Sequence, residues 1–478
     1  MTEQQTNKVS DDHQRMLDLF TRQQQAFHQA PMPSVEARID SLQCLKTALL
    51  AHKDHLCEAL NQDYDGRSTQ DTLISDILPC IMNIKYSCKR LKKWARPERR
   101  HAGLLLSPAK VEVHYQPLGV VGIVVPWNFP VMLSLGPLIT AIAAGNRAMV
   151  KLSEFTPHTN RVLVKMLASA FDNDHVACIE GDAKLAAQFT SLPFDHLLFT
   201  GSTAIGRHVM HAAADNLTPV TLELGGKSPV IVCPDVDIDN AVERMSYGKC
   251  LNAGQICVAP DYVLVPRDKL DDFVSSYQKN FALMYPKGVH SSDYGSVINE
   301  RQYKRLLGLL EDATAKGATA IPCVEGQHRD DSRQRLTTHL LLNTTEEMTV
   351  LQEEIFGPLL PVIPYDGIDD ALDYIRHRPR PLALYLLSYD KVLQQKVISE
   401  THAGGMCIND ALFHVAADDA PFGGIGPSGM GHYHGIEGFK TFSKAKTVLT
   451  QGKFSSGILM HPPYGKWIQK LIFKLFLR

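Results

Sequence analysis

A carboxylate and a thiol mark the stretch from Glu223 to Cys257 as the place where this chain could do chemistry. Glu223 lies in Thr221-Leu222-Glu223-Leu224-Gly225-Gly226-Lys227-Ser228-Pro229, an apolar setting bounded by glycines. Cys257 closes Asn252-Ala253-Gly254-Gln255-Ile256-Cys257, after a turn of small residues. Such a carboxylate and such a thiol are a candidate general base and nucleophile. Each also has a plainer reading. A Glu before two glycines often just ends a strand, and a single Cys often packs as a small hydrophobe.

Four other constellations carry usable groups. Pro126-Trp127-Asn128-Phe129-Pro130 sets one amide among aromatics between two prolines. Asn128 could donate to a developing oxyanion, or simply satisfy turn backbone. Lys151-Leu152-Ser153-Glu154 follows an apolar strand. A Lys and a Glu at the carboxyl end of a parallel strand lie where such folds hold ligands; a surface ion pair is the plainer reading. Gly201-Ser202-Thr203-Ala204-Ile205-Gly206 opens a helix, where backbone N–H groups suit a pyrophosphate. Two glycines can equally serve a turn. Glu353-Glu354-Ile355-Phe356-Gly357-Pro358 combines carboxylates with an aromatic ring, or is a capped turn with a core Phe356.

The elements that must position these groups follow from the apolar pattern. Residues 11–62 and 70–94 read as helices, closed by Pro97, with the basic cluster Lys89 to Arg100 as a solvated helix end. From Val111 the texture alternates. Strands at 111–115, 119–125, 148–152, 176–179, 196–199 and 220–224 are separated by helices at 132–144, 159–171, 183–189 and 204–214. That alternation implies βαβ units and a parallel, doubly wound sheet. After Cys257 a second α/β region runs to Gly431, with strands at 262–265, 360–362, 383–387 and 405–408 and helices at 267–283 and 300–316.

Composition excludes several classes. The 478 residues allow two or three domains, and a formal net charge of −2 gives no bulk attraction for nucleic acid. The polar N-terminus has no signal-peptide core, and no apolar run has membrane-spanning length. The ten cysteines show no CxxC pairs, and the twenty histidines form no metal-ligand set. The expectation is a cytoplasmic enzyme with reduced thiols and no metal.

Together PWNFP, KLSE, FTGSTAIG, LELGGKSP, GQIC, EEIFGP and PFGGIGPSGMG resemble, in order and spacing, the aldehyde dehydrogenase superfamily. The short leading helical region and Ser428-Gly429-Met430-Gly431-His432-Tyr433-His434-Gly435 resemble its class 3 branch, and within it bacterial coniferyl aldehyde dehydrogenases. The resemblance implies an α/β fold: a parallel-sheet dinucleotide-binding domain (1–100 and 118–222), an α/β catalytic domain (223–431) and a small oligomerisation element (101–117 and 432–455). An amphipathic tail, 456–478, would follow.

The resemblance also implies roles. Cys257 is the nucleophile, Glu223 the base, and Asn128 the oxyanion donor beside the Cys257 amide. Lys151 and Glu154 face the adenosine ribose of NAD, with NADP tolerated. Gly201, Ser202 and Gly206 approach the pyrophosphate. Glu354 and Phe356 hold the nicotinamide ribose and ring. The reaction implied is oxidation of an aldehyde, aryl or medium- to long-chain, through a thiohemiacetal and a thioester that Glu223 helps to hydrolyse. One departure is Leu152, where the family often has proline; strand geometry there would differ. A homodimer is expected.

Two other chemistries stay in view. A coenzyme-A-acylating enzyme would need no water-activating base, which Glu223 argues against. A cysteine hydrolase would need a His beside Cys257. The loop Asp410–Val415 is expected to line the substrate funnel. In the tail, Lys466, Lys470, Lys474 and Arg478 recur every four residues beside Trp467, Ile468, Leu471, Ile472, Leu475 and Phe476. A helix there would either dock on its own dimer or lie on a membrane surface.

Overall fold

Short apolar runs that end in glycine, proline or a polar turn become the strands of two parallel sheets. The computed structural model describes residues 3–103, 106–453 and 455–477. The first sheet has the order Gly429–Met430, Val220–Glu223, His196–Thr200, Val120–Val124, Arg147–Lys151, Val176–Ile179. All neighbours are parallel except Gly429–Met430, which runs antiparallel with Gly429 opposite Glu223. The chain builds outward from Val120–Val124, then returns to place His196–Thr200 on its other side. That reversal makes a topological switch point, and ligands of open α/β sheets bind beyond the carboxyl ends of strands there.

Both faces of this sheet are covered, so its strands are apolar throughout. Alternation assigns Val121, Ile123, Ala148 and Val150 to one face, packed with Leu42, Leu138 and Leu163. Val120, Val124 and Met149 take the other, packed with Met16, Phe189 and Val209. The helices of the first face are Val35–Tyr64, Leu78–Trp94, Pro130–Ala144 and Pro157–Ala170.

The second sheet has seven strands in the order Thr319–Pro322, His339–Leu342, Leu359–Tyr365, Tyr262–Pro266, Pro229–Val232, Ala383–Leu387, Gly405–Ile408. Only the Thr319–Pro322 edge is antiparallel. Glu223 is the last residue of a first-sheet strand, and Gly429–Met430 rejoin that sheet. The second α/β region, read from sequence as 223–431, is therefore stitched at both ends into the first. A third sheet pairs Glu98–Arg100, Lys110–Pro117 and Ser443–Thr450, all antiparallel.

Two local readings need correction. The helix expected over 70–94 is broken by one turn of π-helix, Leu73–Ile77, and such turns mark sites where a side chain must be re-aimed. The basic stretch to Arg100 is not only a helix end, because Glu98–Arg100 is a strand paired with Val111–Val113. Leu152 extends its ladder by one hydrogen bond, its N–H donating to Ile179 O at 3.0 Å, which proline could not do.

The tail forms a helix, Trp467–Phe476, after a turn at Ser456–Met460. Gln469 is the one buried residue of that helix, and its amide donates to Leu459 O and His461 O. Trp467, Leu471, Phe473, Leu475 and Phe476 are exposed. Arg478, the last cation of the expected basic stripe, lies outside the described residues, as do Leu104, Leu105 and Phe454. Among the described residues no helix is long and apolar enough to cross a membrane.

Candidate active site

Four segments meet beyond the carboxyl ends of the first sheet. The first is the turn that follows Val120–Val124. Proline at 130 starts the next helix but leaves its first-turn N–H groups without a local cap. Asp76 supplies it: Oδ1 accepts from Val131 N at 3.1 Å and Met132 N at 2.9 Å. Asn128 precedes that helix and is 2% exposed. Its side-chain amide donates to Gln255 O at 3.2 Å, beside the Cys257 loop.

The second segment carries the thiol. Asn252 and Ala253 both have φ of 51°, and Gly254 has 76°, a left-handed run that ordinary residues adopt only when held. Gln255, fully buried, does the holding: its amide donates to Asn252 O and Ser296 O and accepts from Ile298 N. Gly254 allows the third segment to approach, since a Cβ there would lie 2.5 Å from Gly357 O. Cys257 follows, half-buried. Burial first, then Glu354 and Glu223, push its thiol up to about 12. Its own N–H and that of Val258 pull the other way.

Glu223 forms the floor. It is 3% exposed, and neither carboxylate oxygen has a hydrogen-bond partner among the described residues. Burial raises its carboxyl well above the usual carboxylate range. A buried, unpartnered carboxyl next to a thiol is costly for stability alone, and such sites are where function is found.

The third segment, Glu353–Gly357, is clamped from outside. Lys227 pairs with Asp261 and donates to Val350 O and Glu353 O, at 2.8 and 2.9 Å. Asp261 in turn accepts from Ile355 N at 2.8 Å. Phe356, at φ 48°, meets Trp127 edge-on at 5.3 Å. Burial and Asp261 push the Glu354 carboxyl up to about 8. The lysine of LELGGKSP was the sequence signal for this clamp; Asp261 had none.

The fourth segment opens the helix Thr203–Ala214. Ser202 caps it, its Oγ accepting from Ile205 N. The first-turn N–H groups of Thr203 and Ala204 have no intrahelical acceptor. Gly206 lies one turn further in, its N–H donating to Ser202 O and its Cα packed on Leu224. That contact packs the helix closely on the strand that carries Leu224. Lys151 is buried and donates to Leu152 O and Gly181 O, at 2.7 and 2.8 Å. Glu154 is exposed beyond the same strand.

A cavity of about 860 Å³ opens between the third and fourth segments, lined by Thr203, Gly225, Gly226, Glu354, Arg378 and Pro427. A Cβ at residue 225 would collide with the Glu354 carboxylate. The glycine thus keeps the cavity open between the helix N-terminus and Glu354. Free N–H groups of the helix N-terminus on one side and the Glu354 carboxyl on the other fit the phosphates and a ribose of a dinucleotide. On the far side, the loop after Gly405–Ile408 places Phe413, 55% exposed, stacked on Tyr247 at 6.3 Å. Among the described residues no cluster of three His, Cys, Asp or Glu side chains is arranged for a metal, and all ten cysteines are free.

Residues 2–448 match the model of the aldehyde dehydrogenase family, and the chain belongs to that family. It is 55% identical over 461 residues to a Pseudomonas aeruginosa protein named "probable coniferyl aldehyde dehydrogenase", covering 96% of each chain. It is 45% identical over 443 residues to the coniferyl aldehyde dehydrogenase of a Pseudomonas sp., covering 92% of each. Among solved structures, a substrate-bound state of Staphylococcus aureus AldH superposes with a TM-score of 0.90 at 38% identity, covering 96% of this chain and 99% of that one. An NAD⁺ complex of a Mycobacterium tuberculosis aldehyde dehydrogenase gives 0.82 at 29% identity, covering 92% and 91%. The chain is an oxidoreductase that oxidises an aldehyde with NAD(P).

Proposed function

We propose that Cys257, Glu223 and Asn128 carry this oxidation: the Cys257 thiol gives up its proton to solvent and the thiolate attacks the aldehyde carbon. The observation behind this reading is the Glu223 carboxyl, buried and unpartnered, in the space that raises the Cys257 thiol. As the C–S bond forms, the carbonyl oxygen gains charge, and the free N–H of the Asn128 amide and the Cys257 N–H are the donors for it. Bound NAD(P) supplies the hydride acceptor. The acyl group left on sulfur is a thioester. Glu223 takes a proton from water, the resulting hydroxide adds to the acyl carbon, and the carboxylic acid leaves as the thiolate is restored. Thr203, Glu354 and Phe356 would line the cofactor, with Lys151 and Glu154 at its ribose end. Glu154 would accept from a ribose 2′-hydroxyl and repel a 2′-phosphate, so NAD is preferred over NADP.

An aryl aldehyde of the coniferyl kind is the substrate class we favour. The relatives carry that name, and the Tyr247–Phe413 stack supplies aromatic walls. Ranking cinnamic, benzylic and straight-chain aldehydes by kcat/KM, read as reduced cofactor, tests this. Higher values for long straight chains would reassign the substrate, and acyl-CoA as product would reassign the second half-reaction. The unpaired edge Ser443–Thr450 supports a homodimer, and the exposed apolar face of the tail supports contact with a membrane surface in a cytoplasmic enzyme.

A further inference from the structure

Outside every motif, a fully buried ion pair braces the turn that presents Asn128. Arg67 and Asp76 are both 0% exposed, with Arg67 Nη2 donating to Asp76 Oδ2 at 2.6 Å. The other guanidinium nitrogen, Nη1, donates to Asn128 O at 2.8 Å. Tyr64 OH shares its proton between Trp127 O at 2.9 Å and the same Asn128 carbonyl at 3.0 Å, and Asn252 Nδ2 donates to that carbonyl at 3.2 Å. Asp76 lies in the π-turn, and its second oxygen caps the helix that starts two residues after Asn128. The guanidinium also lies over the Phe129 ring at 4.8 Å. Asn128 is thus gripped on its carbonyl by Arg67, while the helix behind it is gripped by Asp76.

Burying two charges is expensive, and an apolar pair of similar volume would often serve stability as well. What the pair adds here is geometry. A planar fork bridges a carboxylate and a carbonyl at fixed spacing, which a lysine cannot do. We infer that Arg67 and Asp76 are positioning residues that fix the Asn128 amide for the oxyanion, acting through its backbone carbonyl. The inference rests on Asn128 being the oxyanion donor. The side chain of Asn128 reaches the reaction only if its Cα is fixed, and a misplacement near 1 Å costs up to about 10²-fold in rate.

The test is a pair of double-mutant cycles read on the first burst of reduced cofactor, which precedes thioester hydrolysis. Arg67→Lys keeps the charge and loses the fork. Tyr64→Phe removes one donor from the carbonyl and leaves the ion pair whole. Alone, Arg67→Lys should slow the burst by about tenfold or more, with unchanged cofactor Kd, and Tyr64→Phe by less. In an Asn128→Ala background each should cost less than about twofold, because the group they position is gone. Equal losses in both backgrounds would mean that the pair serves the fold alone and would overturn the inference. A full-rate Asn128→Ala would instead sink Asn128 as the oxyanion donor, and the inference with it.

Discussion

Gly225 and Glu354 are packed so closely that a methyl group on residue 225 would take the space of both carboxylate oxygens. Gly225→Ala must therefore push Glu354 out of the cofactor slot. The expected result is cofactor binding weakened by about tenfold or more, with the fold intact by circular dichroism. Unaltered cofactor Kd would show that Glu354 does not face the cofactor.

The catalytic pair separates in time. Cys257→Ala should abolish the dehydrogenase reaction. Glu223→Gln should leave a rapid burst of reduced cofactor followed by a steady state slower by about 10²-fold or more. Loss of the burst, with cofactor still bound, would place Glu223 before thioester formation.

The resting thiol should be inert at neutral pH. With the Cys257 thiol near 12, the thiolate fraction grows about tenfold per pH unit across the accessible range. Alkylation of Cys257 should then rise through pH 9 without a plateau. Glu354→Gln removes a negative neighbour and should shift that profile to lower pH. A plateau near the ordinary cysteine value of about 8.5 would contradict the burial described.

Three buried imidazoles, His196, His339 and His434, and the half-buried His414 bear on the acid limit. Burial lowers His196, His339, His414 and His434 from 6.5 to about 4. Below the ordinary value the unfolded chain binds protons that the native state refuses. The stabilisation from keeping these rings neutral is whole above pH 6.5 and is lost as pH falls toward 4, up to roughly 3 kcal/mol per ring. Neither ring nitrogen of His434 has a partner among the described residues, and the ring stacks on Phe422 at 5.1 Å. His434→Phe should move the midpoint of acid unfolding to lower pH. An unmoved midpoint would mean that His434 is not neutral in the native state.

The tail makes a prediction that the catalytic site does not. Removing residues 463–478 should abolish binding to vesicles rich in anionic lipid and leave kcat/KM on soluble aldehydes unchanged. Full-length protein that ignores such vesicles, together with altered aldehyde selectivity in the truncation, would make the helix a cover for the substrate entrance.

Much of the scaffold was legible because its signals are local. Val120–Val124 and His196–Thr200 are apolar runs with a glycine beyond one end, and the alternation of such runs with helices requires a parallel sheet. Cys257, Glu223 and Asn128 were singled out through the motifs around them, and the fold brings their segments together. What was not legible depends on pairings across the fold. Arg67 and Asp76 look like an ordinary turn arginine and helix aspartate until tertiary structure brings Asn128 between them. Glu98–Arg100 has no apolar residue to betray a strand; its pairing with Val111–Val113 creates it. Gly201 and Gly206 look alike in sequence, and only the folded chain shows that Gly206 is packed on Leu224.

The pairing of Gly429 with Glu223 has a consequence for synthesis. Glu223 leaves the ribosome long before its neighbour on the sheet edge exists. Until Gly429 emerges and Leu224 N–H finds Ser428 O, the strand that carries the carboxyl has one open side. A nascent chain, or a fragment cut anywhere between the two, holds Glu223 at a frayed edge. Completion of the polypeptide is thus coupled to assembly of the reactive centre, and unfinished copies should be catalytically silent.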